Sequence, residues 1–350
     1  LIHWKKDGEA AKLVPQEGYD KNDWRDPFAI FDQDHGKYVL ILGARKPASK
    51  KKPTGRLVYF ESEDLKDWNF KGDYWANNEF NMIEMPDIFE IDGTWYLLFS
   101  EYCEDKKTKY RVGAGLFSDW KSPVDEAFDG KAYYAARTVG TNETGRFLTG
   151  WVATKEGEND QNNWDWGGAL VPHQIIQKTD KTLGVKLPEK IIENFKEITP
   201  FSSFKLEKEF GKKERVIVPK IEDYFLFETT LTITSLTKEF ALKLFVDSDT
   251  QEGYEFRISL INNQLTFGKT PNYPWPQMFD KGLQPLFLEI GKEYELKLIV
   301  DDTIAVLYID NVALSTRMYD KVGTALSMTV TEGAIKVDKL DYSINYECGF

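Results

Sequence analysis

A short segment that occurs twice is the feature that most constrains how this chain can fold. Trp24–Phe28 reads Trp-Arg-Asp-Pro-Phe, Glu84–Phe89 reads Glu-Met-Pro-Asp-Ile-Phe, and each places a carboxylate beside a proline. Residues 27–42 and 86–99 then each read as an apolar strand, a turn built on Asp and Gly, and a second apolar strand. A repeated unit with an acid at the same place in each copy predicts a repeat architecture whose acids converge on one point. We expect a two-carboxylate hydrolase site there.

Composition excludes several classes of partner. The chain has 57 acidic and 45 basic residues and a net charge of −12, which argues against a nucleic acid or an anionic membrane surface as partner. No apolar run approaches the ~20 residues of a membrane span. The three histidines show no metal-ligand spacing, so we expect no metal and no cofactor. Cys103 and Cys348 lie far apart, and two free thiols are expected rather than a disulfide framework.

The pattern of strands predicts two all-β domains. Residues 1–195 contain three units, at about 25–70, 83–121 and 131–180, each with three or four short strands. Four-stranded repeats of this size are typical of a β-propeller. From Phe204 onward apolar and polar residues alternate more regularly, which favours a β-sandwich over 196–350. Residues 186–203 are the predicted linker, with a short helix around 189–195.

The beginning of the chain repeats part of another element. Leu1–Trp4 resembles the last part of Asp64–Trp68, an Asp-Leu-x-x-Trp element. A strand repeat that started there would leave an open sheet edge. We therefore expect that the chain begins inside a repeat and that an upstream segment is missing.

An ordered set of motifs resembles glycoside hydrolase family 32, the β-fructosidases that include invertases, levanases and inulinases. The motifs that carry the resemblance are Arg25-Asp26-Pro27, Glu84-x-Pro86-Asp87, residues 128–136, residues 146–151 and residues 166–172, with further similarity over 296–319. The resemblance implies a five-bladed β-propeller, incomplete in this chain, followed by a β-sandwich. It also implies hydrolysis of terminal β-fructosides with retained configuration, and a fructoside or fructan as substrate.

The resemblance also implies roles for individual residues. Glu84 would be the general acid/base, and Asp26 a transition-state stabiliser oriented by Arg25. Asp87 either supports Glu84 or begins a strand, and we favour the strand. His173 replaces an arginine of the family and is expected to be structural. Three aromatic residues are candidates for stacking against sugar, although such rings more often fill cores: Trp24, Tyr134 and Trp166.

Two departures from the family affect the expected activity. Met85 replaces the usual cysteine after the acid/base, and the Asn-Asp-Pro-Asn motif that carries the family's nucleophile is absent. The favoured explanation is that the upstream segment of the same protein supplies the nucleophile. The alternatives are a noncatalytic carbohydrate-binding relative, an enzyme with a replacement nucleophile, and a related five-bladed hydrolase acting on arabinan or xylan. The sequence leaves the location open between cytoplasmic and secreted.

Overall fold

The protein is built almost entirely from antiparallel β-strands, so the predicted all-β class is confirmed. The computed structural model describes residues 3–5, 13–47, 53–103, 106–270 and 283–346. Contacts divide the chain into two compact units. Unit 1 comprises residues 1–127 and 135–138, and unit 2 comprises residues 128–134 and 139–350. Within the described ranges, no helix is long and apolar enough to cross a membrane.

The first sheet of unit 1 contains four antiparallel strands in sequential order. The strands are β1 (Trp24–Asp32), β2 (Lys37–Arg45), β3 (Gly55–Ser62) and β4 (Asn69–Trp75). The apolar runs at 38–42 and 56–60 that predicted strands lie inside β2 and β3.

The second sheet of unit 1 contains three strands, also in sequential order. They are β5 (Ile83–Ile91), β6 (Thr94–Glu101) and β7 (Thr108–Gly113). Asp92 and Gly93 form the predicted β5–β6 turn, and both have positive φ, as a two-residue hairpin turn requires. Both sheets of unit 1 contribute apolar side chains to one buried cluster, which includes Val39, Ile41, Leu57, Ile83, Leu97 and Phe99.

The third sheet contains four strands in the order β11-β10-β9-β8. The strands are β8 (Tyr133–Thr141), β9 (Gly145–Lys155), β10 (Trp164–Gln177) and β11 (Leu183–Lys186), with a 3₁₀ turn at Glu156–Glu158. The residue ranges of the three sheets agree closely with the three strand-rich segments that the sequence predicted, at about 25–70, 83–121 and 131–180.

The predicted linker is only partly correct. Helix α1 covers Glu189–Ile192, shorter than predicted, and strand β12 occupies Phe195–Phe201. Strand β12 forms because it pairs with residues 340–346 near the other end of the chain. Because the partner strand lies so far away in the sequence, no local pattern predicts β12. Its charged residues and proline were therefore interpreted as a linker.

The remaining strands form one eleven-stranded sheet, whose buried side chains make a large apolar core. The order is β18-β17-β16-β15-β22-β14-β19-β20-β21, and β12 and β13 also pair with β22. The strands after β12 are β13 (Phe204–Val218), β14 (Tyr224–Ile233), β15 (Glu239–Val246), β16 (Gly253–Ser259), β17 (Gln264–Thr270), β18 (Leu283–Pro285), β19 (Glu293–Asp301), β20 (Ile304–Ile309), β21 (Val312–Arg317) and β22 (Ala325–Tyr346). The predicted alternation is clear in β19, where Tyr294, Leu296, Leu298 and Val300 are buried between more exposed neighbours.

Candidate active site

The two copies of the repeated motif contain the same backbone irregularity. The β1–β2 ladder shifts register between Arg25 and Phe28, and the β5–β6 ladder shifts between Glu84 and Asp87. The residue before the proline is left-handed in both, with φ of 61° at Asp26 and 50° at Met85. A non-glycine residue before proline normally adopts an extended conformation, so this geometry persists only where the surroundings hold it. Bulges of this kind re-aim side chains next to active sites.

The equivalent bulges correct one detail of the repeat. With the two prolines superimposed in register, Arg25 is the counterpart of Glu84 and Asp26 is the counterpart of Met85. The two acids are therefore offset by one residue, and the sequence-based expectation of an acid at the same place in each copy is wrong. The offset leaves an arginine and a glutamate at equivalent positions, and these two side chains bind each other.

The Arg25–Glu84 pair is the best-defined interaction of the site. Nε and Nη2 of Arg25 donate to Oε1 of Glu84 at 2.9 Å and 2.6 Å, and Nη1 donates to Oδ1 of Asp23 at 2.7 Å. The Glu84 side chain is only 7% exposed and that of Arg25 is 35% exposed. Partial burial lowers the pKa of Arg25, but the hydrogen bonds that it donates to Asp23 and Glu84 outweigh this effect and raise its pKa overall. The planar guanidinium thus fixes the Glu84 carboxylate from one side.

Asp26 lies beside the same glutamate. Its Oδ2 accepts a hydrogen bond from the Met85 amide at 3.1 Å. That nitrogen is bonded to the carbonyl carbon of Glu84, so the Asp26 carboxylate binds the backbone directly after the residue that carries the Glu84 carboxylate. The structure thereby brings Arg25, Asp26 and Glu84 together, with one carboxylate bound to an arginine and the other to a backbone amide.

The sequence analysis expected Asp87 to begin a strand. This expectation is wrong, because β5 starts four residues earlier, at Ile83. Its side chain is buried, and Oδ2 accepts a hydrogen bond from the Thr138 amide at 2.6 Å. This contact joins β5 to β8 within unit 1. Asp87 therefore accepts a backbone hydrogen bond that holds β8 against β5.

Trp24 lies in a cluster of aromatic rings. Its Nε1 donates to the carbonyl of Leu13 at 2.8 Å, and its ring centroid lies 5.5 to 6.2 Å from those of three neighbours, Tyr19, Phe60 and Phe70. These are the contacts of a packing residue, and they account for both the ring and the N–H group of Trp24.

The other two aromatic candidates lie together in unit 2. Tyr134 is buried, Trp166 is 61% exposed, and their ring centroids are 5.3 Å apart. Trp151, which the sequence analysis did not single out, lies 5.9 Å from Tyr134 and 5.6 Å from Trp166. An exposed indole supported by two further rings is a suitable surface for the apolar face of a sugar.

His173 has the structural surroundings expected of it. It is fully buried, with Nε2 3.1 Å from Oδ2 of Asp129 and Nδ1 2.8 Å from the hydroxyl of Tyr308. Both ring nitrogens therefore have partners inside unit 2. Among the residues that the structure describes, no group of three or more His, Cys, Asp or Glu side chains could hold a metal ion.

The contacts that hold the acids were harder to predict than the acids themselves. Asp23, Thr138 and Arg137 all bind the site's backbone or side chains, and none was a candidate. A sequence signal existed for two of them. Arg137 and Thr138 follow directly after the motif at residues 128–136 that carried part of the resemblance.

Two neighbouring bulged strands of this all-β chain thus carry a buried glutamate bound to an arginine and an aspartate beside it. A pair of carboxylates on facing elements is the arrangement that glycoside hydrolases use. Residues 2–186 match the N-terminal domain of the glycosyl hydrolases family 32. The chain belongs to this family.

Curated relatives and solved structures agree with this assignment. Sucrose-6-phosphate hydrolase of Zymomonas mobilis subsp. mobilis is 23% identical over 279 residues, covering 74% of this chain and 49% of the relative. The Bacillus subtilis enzyme of the same name is 26% identical over 217 residues, covering 54% and 42%. The chain thus spans about half the length of the curated relatives it matches.

Structural similarity extends over nearly the whole chain. Fructan 1-exohydrolase IIa from Cichorium intybus superimposes with a TM-score of 0.76 at 14% identity, covering 99% of this chain and 76% of that one. Sucrose-6-phosphate hydrolase from Lactobacillus gasseri has a TM-score of 0.72 at 18% identity, covering 96% and 69%. At these identities the similarity shows the fold.

Proposed function

We propose that this chain is the part of a β-fructosidase that supplies the acid/base Glu84 and the transition-state stabiliser Asp26. The observation that carries the proposal is the arrangement of three side chains, with Arg25 bound to Glu84 and Asp26 bound to the amide after Glu84. The substrate class is a terminal β-fructoside such as sucrose or a fructo-oligosaccharide. The names of the relatives support this class, and a fructan 1-exohydrolase from Cichorium intybus has been solved with 1-kestose.

The proposed reaction is a double displacement with retained configuration. A carboxylate nucleophile attacks the anomeric carbon of the fructosyl unit while the Glu84 carboxyl donates its proton to the leaving oxygen. The Glu84 carboxylate then removes a proton from water, whose oxygen displaces the nucleophile and releases fructose. Asp26 accepts hydrogen bonds from the fructosyl hydroxyls, which strengthen as positive charge develops on the ring. Arg25 orients Glu84 by its two hydrogen bonds to Oε1.

The family's nucleophile motif does not occur in these 350 residues. We infer that the active species also contains an Asn-Asp-Pro-Asn segment, and that the three sheets described above are blades of a five-bladed propeller that this segment helps to complete. The propeller domain would extend to about residue 195 and the sandwich domain over 196–350. The aromatic group of Tyr134, Trp151 and Trp166 would stack against sugar.

The test compares Glu84→Gln with the parent chain in a protein that includes the nucleophile segment. We expect the variant to lose roughly 10²–10⁴-fold in turnover on sucrose, because its amide cannot protonate the leaving oxygen. A fructoside with an activated leaving group needs no proton, so the loss should be much smaller on that substrate. Asp26→Asn should lower turnover on both substrates, since it weakens stabilisation of the ring itself.

The matched control is Glu63→Gln, which changes an exposed glutamate in the same unit. Equal losses for Glu84→Gln on both substrates would contradict the acid/base role. Sucrose binding without any fructose release by the protein with its nucleophile segment would favour a noncatalytic carbohydrate-binding relative. Fructose release by the 350-residue chain alone would refute the need for that segment.

A further inference from the structure

The bulge in β1 leaves two backbone carbonyl groups between ladder pairs. Arg25 pairs with Gly43 and Phe28 pairs with Ile41, while Asp26 and Pro27 fall between these pairs. Backbone carbonyls that leave a ladder need other partners. Here one nitrogen, Nη2 of Arg137, donates to both oxygens.

Arg137, on β8, donates from Nη2 to the carbonyl oxygens of Asp26 at 3.3 Å and Pro27 at 3.2 Å. Its guanidinium carbon lies 5.9 Å from the ring centroid of Phe28, the next residue of the same bulge. The arginine therefore contacts three consecutive residues of the bulge. Arginine suits this position because its planar fork can bind backbone oxygens and lie near an aromatic face at the same time.

The Arg137 contact closes a ring of three links between the strands that carry the site. Asp26 of β1 accepts the Met85 amide of β5. Asp87 of β5 accepts the Thr138 amide of β8. Arg137 of β8 donates back to the carbonyl of Asp26 on β1. Each strand is therefore held by a side chain of another, and all of these residues belong to unit 1.

We propose that Arg137 is a positioning residue that holds Asp26 in its left-handed conformation and thereby aims the Asp26 carboxylate. A left-handed residue before proline is unfavourable by itself and needs contacts that overdetermine it. Loss of the Arg137 contacts lets the Asp26 peptide relax toward the extended region. The carboxylate then turns away from the Met85 amide. The catalytic meaning of this positioning rests on the proposed function.

The first test follows the Met85 amide in the 350-residue chain by hydrogen exchange. We expect Arg137→Met to accelerate exchange at Met85 about tenfold, a coupling typical of residues in one network. Arg137→Lys, which keeps one charged donor, should restore part of the protection. Arg215→Met is the matched control, because Arg215 lies over the ring of Phe204 in unit 2. In this variant, the exchange rate of the Met85 amide should equal that of the parent chain.

A double variant separates positioning from general loosening. Asp26→Ala removes the acceptor, so Arg137→Met should add nothing to the Met85 exchange rate in that background. An unchanged rate in Arg137→Met, or an added effect in the Asp26→Ala background, overturns the proposal. Should Arg137→Met fail to fold, Arg137→Lys and Arg137→Gln provide the same comparison.

The second test uses the protein with its nucleophile segment. Arg137→Met should lower kcat on sucrose about tenfold while KM changes less than threefold, since a misaimed stabiliser acts mainly in the transition state. A change in KM alone would contradict positioning. Absence of hydrolysis in both the parent protein and the variant would refute the proposed function. The exchange rate of the Met85 amide would still decide the structural role of Arg137.

Discussion

Replacing Asp129 by alanine tests how much of the stability of unit 2 depends on one buried carboxylate. The side chain is fully buried and accepts four hydrogen bonds. Oδ1 binds the amides of Gly130 at 2.5 Å and Ser315 at 2.7 Å. Oδ2 binds the hydroxyl of Ser315 at 2.5 Å and Nε2 of His173 at 3.1 Å. The carboxylate thus joins the third sheet to strand β21.

The magnitude follows from the donors that alanine would leave without an acceptor. The Gly130 amide, two groups of Ser315 and one of His173 would remain buried, and each such group costs about 1–3 kcal/mol. Some of these donors can turn toward other acceptors, so we expect a total loss of about 3–5 kcal/mol, the range for breaking a buried charged interaction. In a unit of this size, each kcal/mol lowers Tm by about 2–4 °C, which predicts a shift of roughly 6–20 °C.

The assay is thermal unfolding of the 350-residue chain, followed by circular dichroism and by the fluorescence of its tryptophans. Glu295→Ala is the matched control, since this side chain on β19 is 71% exposed and its loss should change stability by no more than about 0.5 kcal/mol. A loss below about 1 kcal/mol for Asp129→Ala would refute the reasoning, because it would mean that the buried donors find partners elsewhere at little cost.

Two further predictions concern unit 1. In a urea titration, Gly43→Ala should lower the free energy of unfolding by about 1–3 kcal/mol, because a Cβ there would lie 2.2 Å from the carbonyl oxygen of Ile83, next to the candidate acid/base. Gly115→Ala is the control and should be neutral in the same titration, because a Cβ at Gly115 meets nothing within 4 Å. Burial raises the pKa of Glu126, but the hydrogen bond from Lys109 and other contacts lower it overall from 4.5. Its ionised form therefore stabilises the fold above pH 4.5, and this stability is lost as pH falls further. Glu126→Gln should lose less stability than the parent chain between pH 5 and pH 3, and an equal loss would contradict the assignment.

Much of the fold was predictable because its signals are local. The strands at 38–42, 56–60 and 94–99 follow from apolar runs bounded by turn residues, and the Asp92-Gly93 turn follows from its sequence alone. Short motifs also marked Asp26 and Glu84 as candidate site residues. Strand β12 was missed because its partner lies near the far end of the chain.

The sequence by itself determined most of the segments that become strands, and which carboxylates are candidates for chemistry. Period-two alternation, turn residues and proline positions act over a few residues, so they can be read along the chain. The tertiary structure decided which side chains satisfy the bulged backbone, placing Arg137 on the carbonyl of Asp26 and Thr138 on the carboxylate of Asp87. It also decided that Trp24 packs among other rings while Trp166 remains exposed. These outcomes depend on contacts between residues far apart in sequence, where burial and hydrogen bonding are settled only when the sheets come together.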